Sequence, residues 1–323
     1  MIYLNENDIN KIGIKWDEII NQIEEAVRCL DAGDFAQPIK PYLRYGDFQN
    51  RIIAMPAFVG GCFNIAGIKW IASFPQNIEK NIPRAHSVVV LNNADTGVPV
   101  CIVNTAKLSI IRTAAVSGTV IKHFVKARNL KEFKLGIIGW GPIGQNHFNM
   151  CTELFGEKIS DIYLYDIRPV INKEAIDYPH KHKINIANSW QDVYNNSNVF
   201  ITCTVSKAPY IDLRPQNGSL LLNVSLRDFK VDIYDYVRNS IIVDDWDEAC
   251  REKTDIEMMN KEKGLAKEDV KTIIDIVCND CIRYYDLKET VMFNPMGMAI
   301  FDIAIGRYYY NKSKDFKVGQ ELL

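Results

Sequence analysis

The chain of 323 residues has no surplus of positive charge. Its 38 Lys and Arg stand against 40 Asp and Glu, a net charge of −2. Gripping a phosphate backbone takes clustered excess cations, so no nucleic acid partner is expected. No apolar run approaches the ~18 residues needed to span a bilayer, so no membrane partner is expected either. The opening residues, MIYLNENDIN, lack the basic and apolar segments of a secretory signal, and the reading is cytoplasmic. The eight cysteines are scattered over the chain, unlike a small disulfide scaffold, which fits a reducing compartment. The single CxxC, Cys278 and Cys281, has no second pair near it at zinc spacing and reads as a helix carrying two half-buried thiols. His180 and His182 fall in the polar YPHKHK, which reads as a solvated loop. No metal is expected.

What is present is ordinary for a globular protein: 47% hydrophobic and 24% charged residues. The length suits two domains of about 100–200 residues each, and there is no internal repeat or long linker. WDEIINQIEEAVRCLDA (16–32) has apolar residues at helical spacing. RIIAMPAFV, IAGIKWIASF, SVVVLNN and VPVCIVNT then read as short strands, with Asp95-Thr96-Gly97 as a hairpin turn, so this block is mainly antiparallel sheet. AKLSIIRTAAVSGTVIKHFVKA has helical spacing. After it, KLGIIGWG, a helical segment near 143–155, DIYLYD, NVFITCTV, SLLLNVS and SIIVDD alternate as in a parallel sheet covered on both faces. NPMGMAIFDIAIGRYYYNKS reads as a glycine-led loop entering a helix that packs back on the first block.

LGIIGWGPIG holds the most specific signal. Gly139, Gly141 and Gly144 form GxGxxG directly after an apolar strand. The first glycine makes a tight turn, the second admits a pyrophosphate, and the third lets helix and strand pack closely. The helix N-terminus then offers free N–H groups and a positive dipole end to phosphate. The next strand ends at Asp166, 22 residues after Gly144 and close to the ~20 expected of a ribose-binding acid. Asp166 favours NAD, because a carboxylate repels a 2′-phosphate; Arg168, two residues on, leaves room for NADP. The expected fold is α/β: a Rossmann-type NAD domain at 116–294, inserted into an α+β substrate and dimerisation domain at 1–115 plus 295–323.

PYLR (41–44), GIKW (67–70), IRTAAVSG (111–118), GWGPIG (139–144) and NPMGMAIFDIA (294–304), in this order, resemble the ornithine cyclodeaminase/μ-crystallin family over nearly the whole chain. RIIAMPA, AGIKWIAS, TCTVSKAPYI, IIVDDWDEACREKT and NPMGMAI look closest to its branch that forms L-2,3-diaminopropionate for siderophores. The resemblance implies a homodimer joined through the antiparallel sheet. It also places Thr113, Pro142, Ile143, Thr204, Val205, Ser206, Met296 and Gly297 at the cofactor.

Arg44, Lys69 and Arg112 each stand in an apolar or aromatic context, where a lone cation is costly to bury. Structural salt bridges would explain them. The resemblance instead puts all three in the substrate pocket, where Arg suits carboxylates by its planar fork and Lys69 can exchange protons. Arg51 and Arg84 are further cations without an assigned place. The resemblance also calls for an acid in LLNVSLRDFKVDI. The family aspartate aligns near Leu226, two residues before Asp228, so Asp228 is either the acid/base or a loop acid paired with Arg227 or Lys230. Asp244 and Asp245 read as structural. The implied activity is NAD-dependent oxidative cleavage of the amino-acid substrate N-(2-amino-2-carboxyethyl)-L-glutamate to 2-oxoglutarate and L-2,3-diaminopropionate. The alternatives are ornithine cyclodeamination, ketimine reduction or alanine oxidation, and, in another class, a non-catalytic nucleotide and small-ligand binder.

Overall fold

The computed structural model describes residues 1–47 and 49–322. The chain folds as two compact units: Met1–Ala115 with Gly297 onward, and Val116–Met296.

The strands of the first unit are β1 (Ile2–Asn5), β2 (Phe35–Ala36), β3 (Tyr42–Leu43), β4 (Arg51–Val59), β5 (Ile65–Ser73), β6 (Ala85–Asn93), β7 (Pro99–Asn104) and a short strand at Gln320–Glu321. The order across the sheet is Gln320–Glu321, β1, β7, β6, β5, β4, β2, with β3 also on β4. The Asp95 turn joins β6 to β7: Asn93 Oδ1 accepts from Asp95 N and Thr96 N, and Gly97 takes φ +73°. The antiparallel reading holds except that β1 runs parallel to β7. A strand of four residues carries too little alternation to be seen, and its partner lies about a hundred residues away.

Side chains alternate across a strand. Met55, Ala57, Val59, Ile65, Lys69, Val89, Leu91, Cys101 and Val103 are buried on one face. Helices α1 (Glu6–Ile12) and α2 (Trp16–Asp31) and a closing helix (Ala299–Phe316) complete the core of this unit. From α2 come Ile19, Ile20, Ile23 and Val27; the closing helix is buried along most of its length. Each such aliphatic side chain contributes about 1.5–3 kcal/mol when fully buried. Gly67 lets the closing helix approach the sheet, since a Cβ there would stand 2.9 Å from Ile303 Cδ1 and overlap Val90 O. The unit boundary falls within α3 (Lys107–Ala127).

The second unit is built on β8 (Phe133–Ile138), β9 (Ile159–Tyr165), β10 (Ile184–Ile186), β11 (Val199–Thr202), β12 (Leu220–Leu222), β13 (Ile241–Val243), β14 (Lys271–Thr272) and β15 (Val291–Asn294). Their order is β10-β9-β8-β11-β12-β15-β13-β14, and every pairing is parallel. The central strands are buried on both faces, which is why they read as unbroken apolar runs. Strand order reverses between β8 and β11, the point where such sheets open a crevice beyond their carboxyl ends.

One reading of detail is corrected. Cys278 and Cys281 do not share a helix: Cys278 closes the Ile273–Val277 helix, Asp280 turns left-handed at φ +52°, and the buried Cys281 starts a separate short turn. The YPHKHK stretch leaves His180 and His182 exposed, as a solvated loop does, while its two ends are anchored. Tyr178 is buried, its ring 5.7 Å from Phe148, and Lys183 donates to Gly156 O and Ile159 O. Among the described residues no helix is long and apolar enough to cross a membrane.

Candidate active site

β8 passes into Gly139-Trp140-Gly141, and α4 (Pro142–Phe155) begins at once. Gly139 has φ +94°, and a Cβ on it would lie 2.5 Å from Cys203 O. Gly144, in the first turn of α4, presses so closely that a Cβ would overlap Gly139 O. Gly141 differs: no described protein atom lies within 4 Å of where its Cβ would stand. It is the N-cap of α4 and brings no side chain to the helix start, while Pro142 and Ile143 form the first turn. Backbone N–H groups and the positive dipole end thus meet open space, the setting an anion takes.

Asp166, just past β9, locks this loop. Its Oδ2 accepts from Trp140 N at 2.8 Å, and its Oδ1 from Arg168 N at 2.9 Å and Arg168 Nε at 3.2 Å. Burial opposes its ionisation, yet the Arg168 and Trp140 donors prevail and hold the carboxyl below its ordinary range. Arg168 is therefore turned back onto the acid. The loop, the open side at Gly141 and the acid on the neighbouring strand fit a dinucleotide.

β11 leads to Thr204, Val205 and Ser206. Thr204 Oγ1 lies 2.7 Å from both oxygens of Asp228; Ser225 Oγ donates to the same carboxylate at 2.6 Å and Tyr210 OH at 3.4 Å. Val205 is exposed, and Ser206 N donates to Thr204 Oγ1. Asp228 has no exposed surface; burial raises its pKa against the pull of these hydroxyls. Of the two cations offered as its partners, Lys230 pairs with Asp212 at 2.6 Å and Arg227 donates to Glu252 O at 2.8 Å. Leu226, where the family aspartate aligns, takes φ +67°. Nearby Asp255 is pushed up to about 7 by burial, although Phe229 N and Asn223 Nδ2 donate to it. Asp245 caps the Trp246–Ala249 helix, and Asp244 Oδ1 accepts from Met296 N at 3.0 Å.

In the first unit, Lys69 and Arg112 meet on one carboxylate. Lys69 Nζ is 2.6 Å from Asp302 Oδ2, and Arg112 Nε is 3.1 Å from Asp302 Oδ1. Lys69 is 1% exposed and Asp302 0%. Ser109 Oγ lies 3.4 Å from Lys69 Nζ. Burial pulls Lys69 down to about 7; Asp302 resists this, while Arg112 and Lys40 reinforce it. Thr113, next on α3, donates to Ser109 O. Gly297 has φ +89°, and a Cβ on it would stand 2.7 Å from an Arg112 guanidinium nitrogen. Its carbonyl accepts from the buried Lys40 Nζ at 2.8 Å. Arg44 is half-buried past the end of β3, its guanidinium 5.1 Å from the Tyr42 ring centre.

Asp302 and Lys40 escaped the sequence reading. Asp302 carried the same signal that drew attention to the cations, a lone charge in the apolar run MAIFDIAIG. Lys40, between Pro38-Ile39 and Pro41-Tyr42-Leu43, carried that signal as well. Among the described residues, no three His, Cys, Asp or Glu side chains are grouped to hold a metal.

Comparison with known proteins follows the same lines. The model of the ornithine cyclodeaminase/mu-crystallin family matches residues 4–317. The N-((2S)-2-amino-2-carboxyethyl)-L-glutamate dehydrogenase of Staphylococcus aureus is 34% identical over 100% of this chain and 98% of its own. The alanine dehydrogenase of Archaeoglobus fulgidus is 25% identical over 99% and 98%. Among solved structures, the Delta(1)-pyrroline-2-carboxylate reductase of Thermococcus litoralis, in complex with NADH and L-proline, superposes with a TM-score of 0.87 at 22% identity, covering all of both chains. The full-length family match and the 34% identical relative lead to one conclusion: this chain belongs to the ornithine cyclodeaminase/mu-crystallin family.

Proposed function

We propose that this NAD-dependent oxidoreductase cleaves N-(2-amino-2-carboxyethyl)-L-glutamate to 2-oxoglutarate and L-2,3-diaminopropionate, a precursor for siderophores or antibiotics. The observation that carries the reading is the buried Lys69–Asp302–Arg112 group, two cations on one carboxylate. Such a group suits a substrate rich in carboxylates. The Staphylococcus aureus relative, full-length and 34% identical, supports this substrate over those of the more distant relatives.

Gly139, Gly141, Pro142, Ile143, Gly144 and Asp166 would hold the dinucleotide, with Arg168 and Thr204–Ser206 flanking them. When bound, NAD supplies the hydride acceptor for the glutamate Cα. The protein's own work is to orient and to move protons. Arg112 holds a substrate carboxylate through its fork, and Arg44 takes another. Loss of hydride leaves an iminium on the substrate. Lys69, poised near neutrality, removes a proton from the attacking water and returns one to the departing amine. One amine, one water and one NAD give one oxoacid, one diamino acid, NADH and a proton. Asp228, bound by three hydroxyls, tunes the Thr204 loop in this scheme.

The test follows NADH formation by absorbance with N-substituted glutamates, ornithine, proline and alanine, and identifies products by mass. Net NADH with 2-oxoglutarate is the expected result; ornithine turnover without net NADH would overturn it. Across pH, kcat should rise as Lys69 loses its proton near 7 and level off above. Lys69→Arg, which cannot deprotonate in this range, should abolish that limb. A flat wild-type profile from acid to alkaline pH would remove Lys69 from proton transfer.

A homodimer is part of the proposal. The sheet face opposite the helices presents Phe58, Ile68, Val88, Val90 and Ile102, all partly exposed, and Trp70 at 44% exposure. A face of this apolar character is suited to a second copy. An archaeal alanine dehydrogenase of similar fold was solved as a dimer. Light scattering should report twice the 36.9 kDa chain mass, and a single-chain mass at micromolar concentration would refute it.

A further inference from the structure

We infer that Arg51 and Arg44 form a second carboxylate subsite on the sheet face that carries Lys69, and that Arg51 selects amines whose oxidised half has an acidic side chain. The inference rests on the proposed amine oxidation and adds to it the residue that reads the side chain.

The register places these groups. In the ladder between β4 and β5, Met55 pairs with Lys69, Ile53 with Ile71 and Arg51 with Ser73. Residues two apart share a face, so Arg51, Ile53 and Met55 lie on the face of Lys69. β3 adds to that face from the other side of β4, because Tyr42 pairs with Ile53. Arg44, two residues beyond Tyr42, follows it. The same face thus carries Lys69, joined to Arg112 through Asp302, and two more guanidinium groups further along.

Both of those groups rest on one ring. The Arg44 guanidinium carbon is 5.1 Å and that of Arg51 5.7 Å from the centre of Tyr42. Ring quadrupoles hold cations at this distance and keep the guanidinium planes ordered. Two guanidinium groups held on one ring offer paired N–H donors to a carboxylate. Four residues of strand separate Arg51 from Met55, about 13 Å at ~3.3 Å each. Long side chains at both ends can shorten that gap to the length of a small dicarboxylate. Arg51 and Arg44 are both half-buried, unlike the enclosed Lys69, so the subsite lies toward the open end of the face.

The experiment titrates glutarate and valerate calorimetrically into the full-length protein saturated with NAD. The two ligands differ in one terminal carboxylate. The wild type should bind glutarate at least about tenfold more tightly than valerate. Arg51→Gln should shrink that preference to about threefold or less, through weaker glutarate binding with valerate unchanged. A wild type that does not distinguish the two, or an R51Q protein that keeps the wild-type ratio, overturns the inference. If R51Q fails to fold by circular dichroism, Arg51→Lys decides: a narrowed ratio supports the subsite and an unchanged ratio refutes it. Turnover is measured separately. Absence of amine oxidation by the wild type would remove the proposed reaction and leave the titration result standing.

Discussion

Asp302→Ala should destabilise the first unit by about 3–5 kcal/mol, because it strips the carboxylate from two buried cations. Asp302 is fully buried on the closing helix and bonds to Lys69 and Arg112 at once. Its removal leaves an ammonium and a guanidinium facing each other in the core. At about 2–4 °C per kcal/mol, the thermal midpoint should fall on the order of 10 °C. Hydrogen exchange should show the loss first in Ala299–Phe316, the helix that Asp302 ties to the sheet. A second readout distinguishes this residue from an ordinary core position. Asp302 opposes the downward shift of Lys69, so without it Lys69 should deprotonate at lower pH. The acidic limb of kcat should move below 7, and kcat/KM should drop as Arg112 loses its orientation. Asp302→Asn keeps the shape without the charge and should show the same pH displacement with a smaller stability loss. An Asp302→Ala protein with wild-type midpoint and wild-type pH profile would mean that neither cation depends on this carboxylate.

Gly141→Val should weaken NAD binding by more than about a hundredfold while leaving the fold intact, since a side chain there occupies the pyrophosphate position. The contrast with its neighbours makes the test clean. A Cβ on Gly139 or Gly144 collides with the protein's own backbone, so those variants would report loop damage. At Gly141 no described protein atom lies within 4 Å, and its backbone stays extended at φ −76°. The circular dichroism spectrum and thermal midpoint should therefore stay at wild-type values while cofactor titration fails. Wild-type NAD affinity in the folded variant would mean that the loop holds something other than a pyrophosphate.

The glycine loop was legible because it is local. Turn, strand and helix start within ten residues obey rules of backbone geometry that any sequence displays. The longer strands of both units were legible for the same reason, whereas β1, β2, β3, β10, β14 and β15, each of two to four residues, carry too little pattern and are defined by their pairing with distant strands. Lys69 and Arg112 stood out as lone charges in apolar runs, though sequence alone left them between salt bridge and substrate site. The structure gives them a partner in Asp302, which also stood in plain view in an apolar helix. Pairing it with residues 233 and 190 positions earlier requires the helix to pack on the sheet. Asp228 shows the opposite case. Lys230, close in sequence, pairs with Asp212, and the carboxylate is met instead by hydroxyls from Thr204, Tyr210 and Ser225.

By itself the sequence determined the two architectures and the dinucleotide loop with its acid, because periodicity, glycine placement and spacing are properties of short stretches, and its motifs carried the resemblance to the family. Only the tertiary structure decided which charges share a partner, how far burial moves their protonation, and which face of the sheet each cation occupies. Those outcomes depend on desolvation and on distances between residues far apart in the chain. Neither quantity exists until helix and sheet have closed around them.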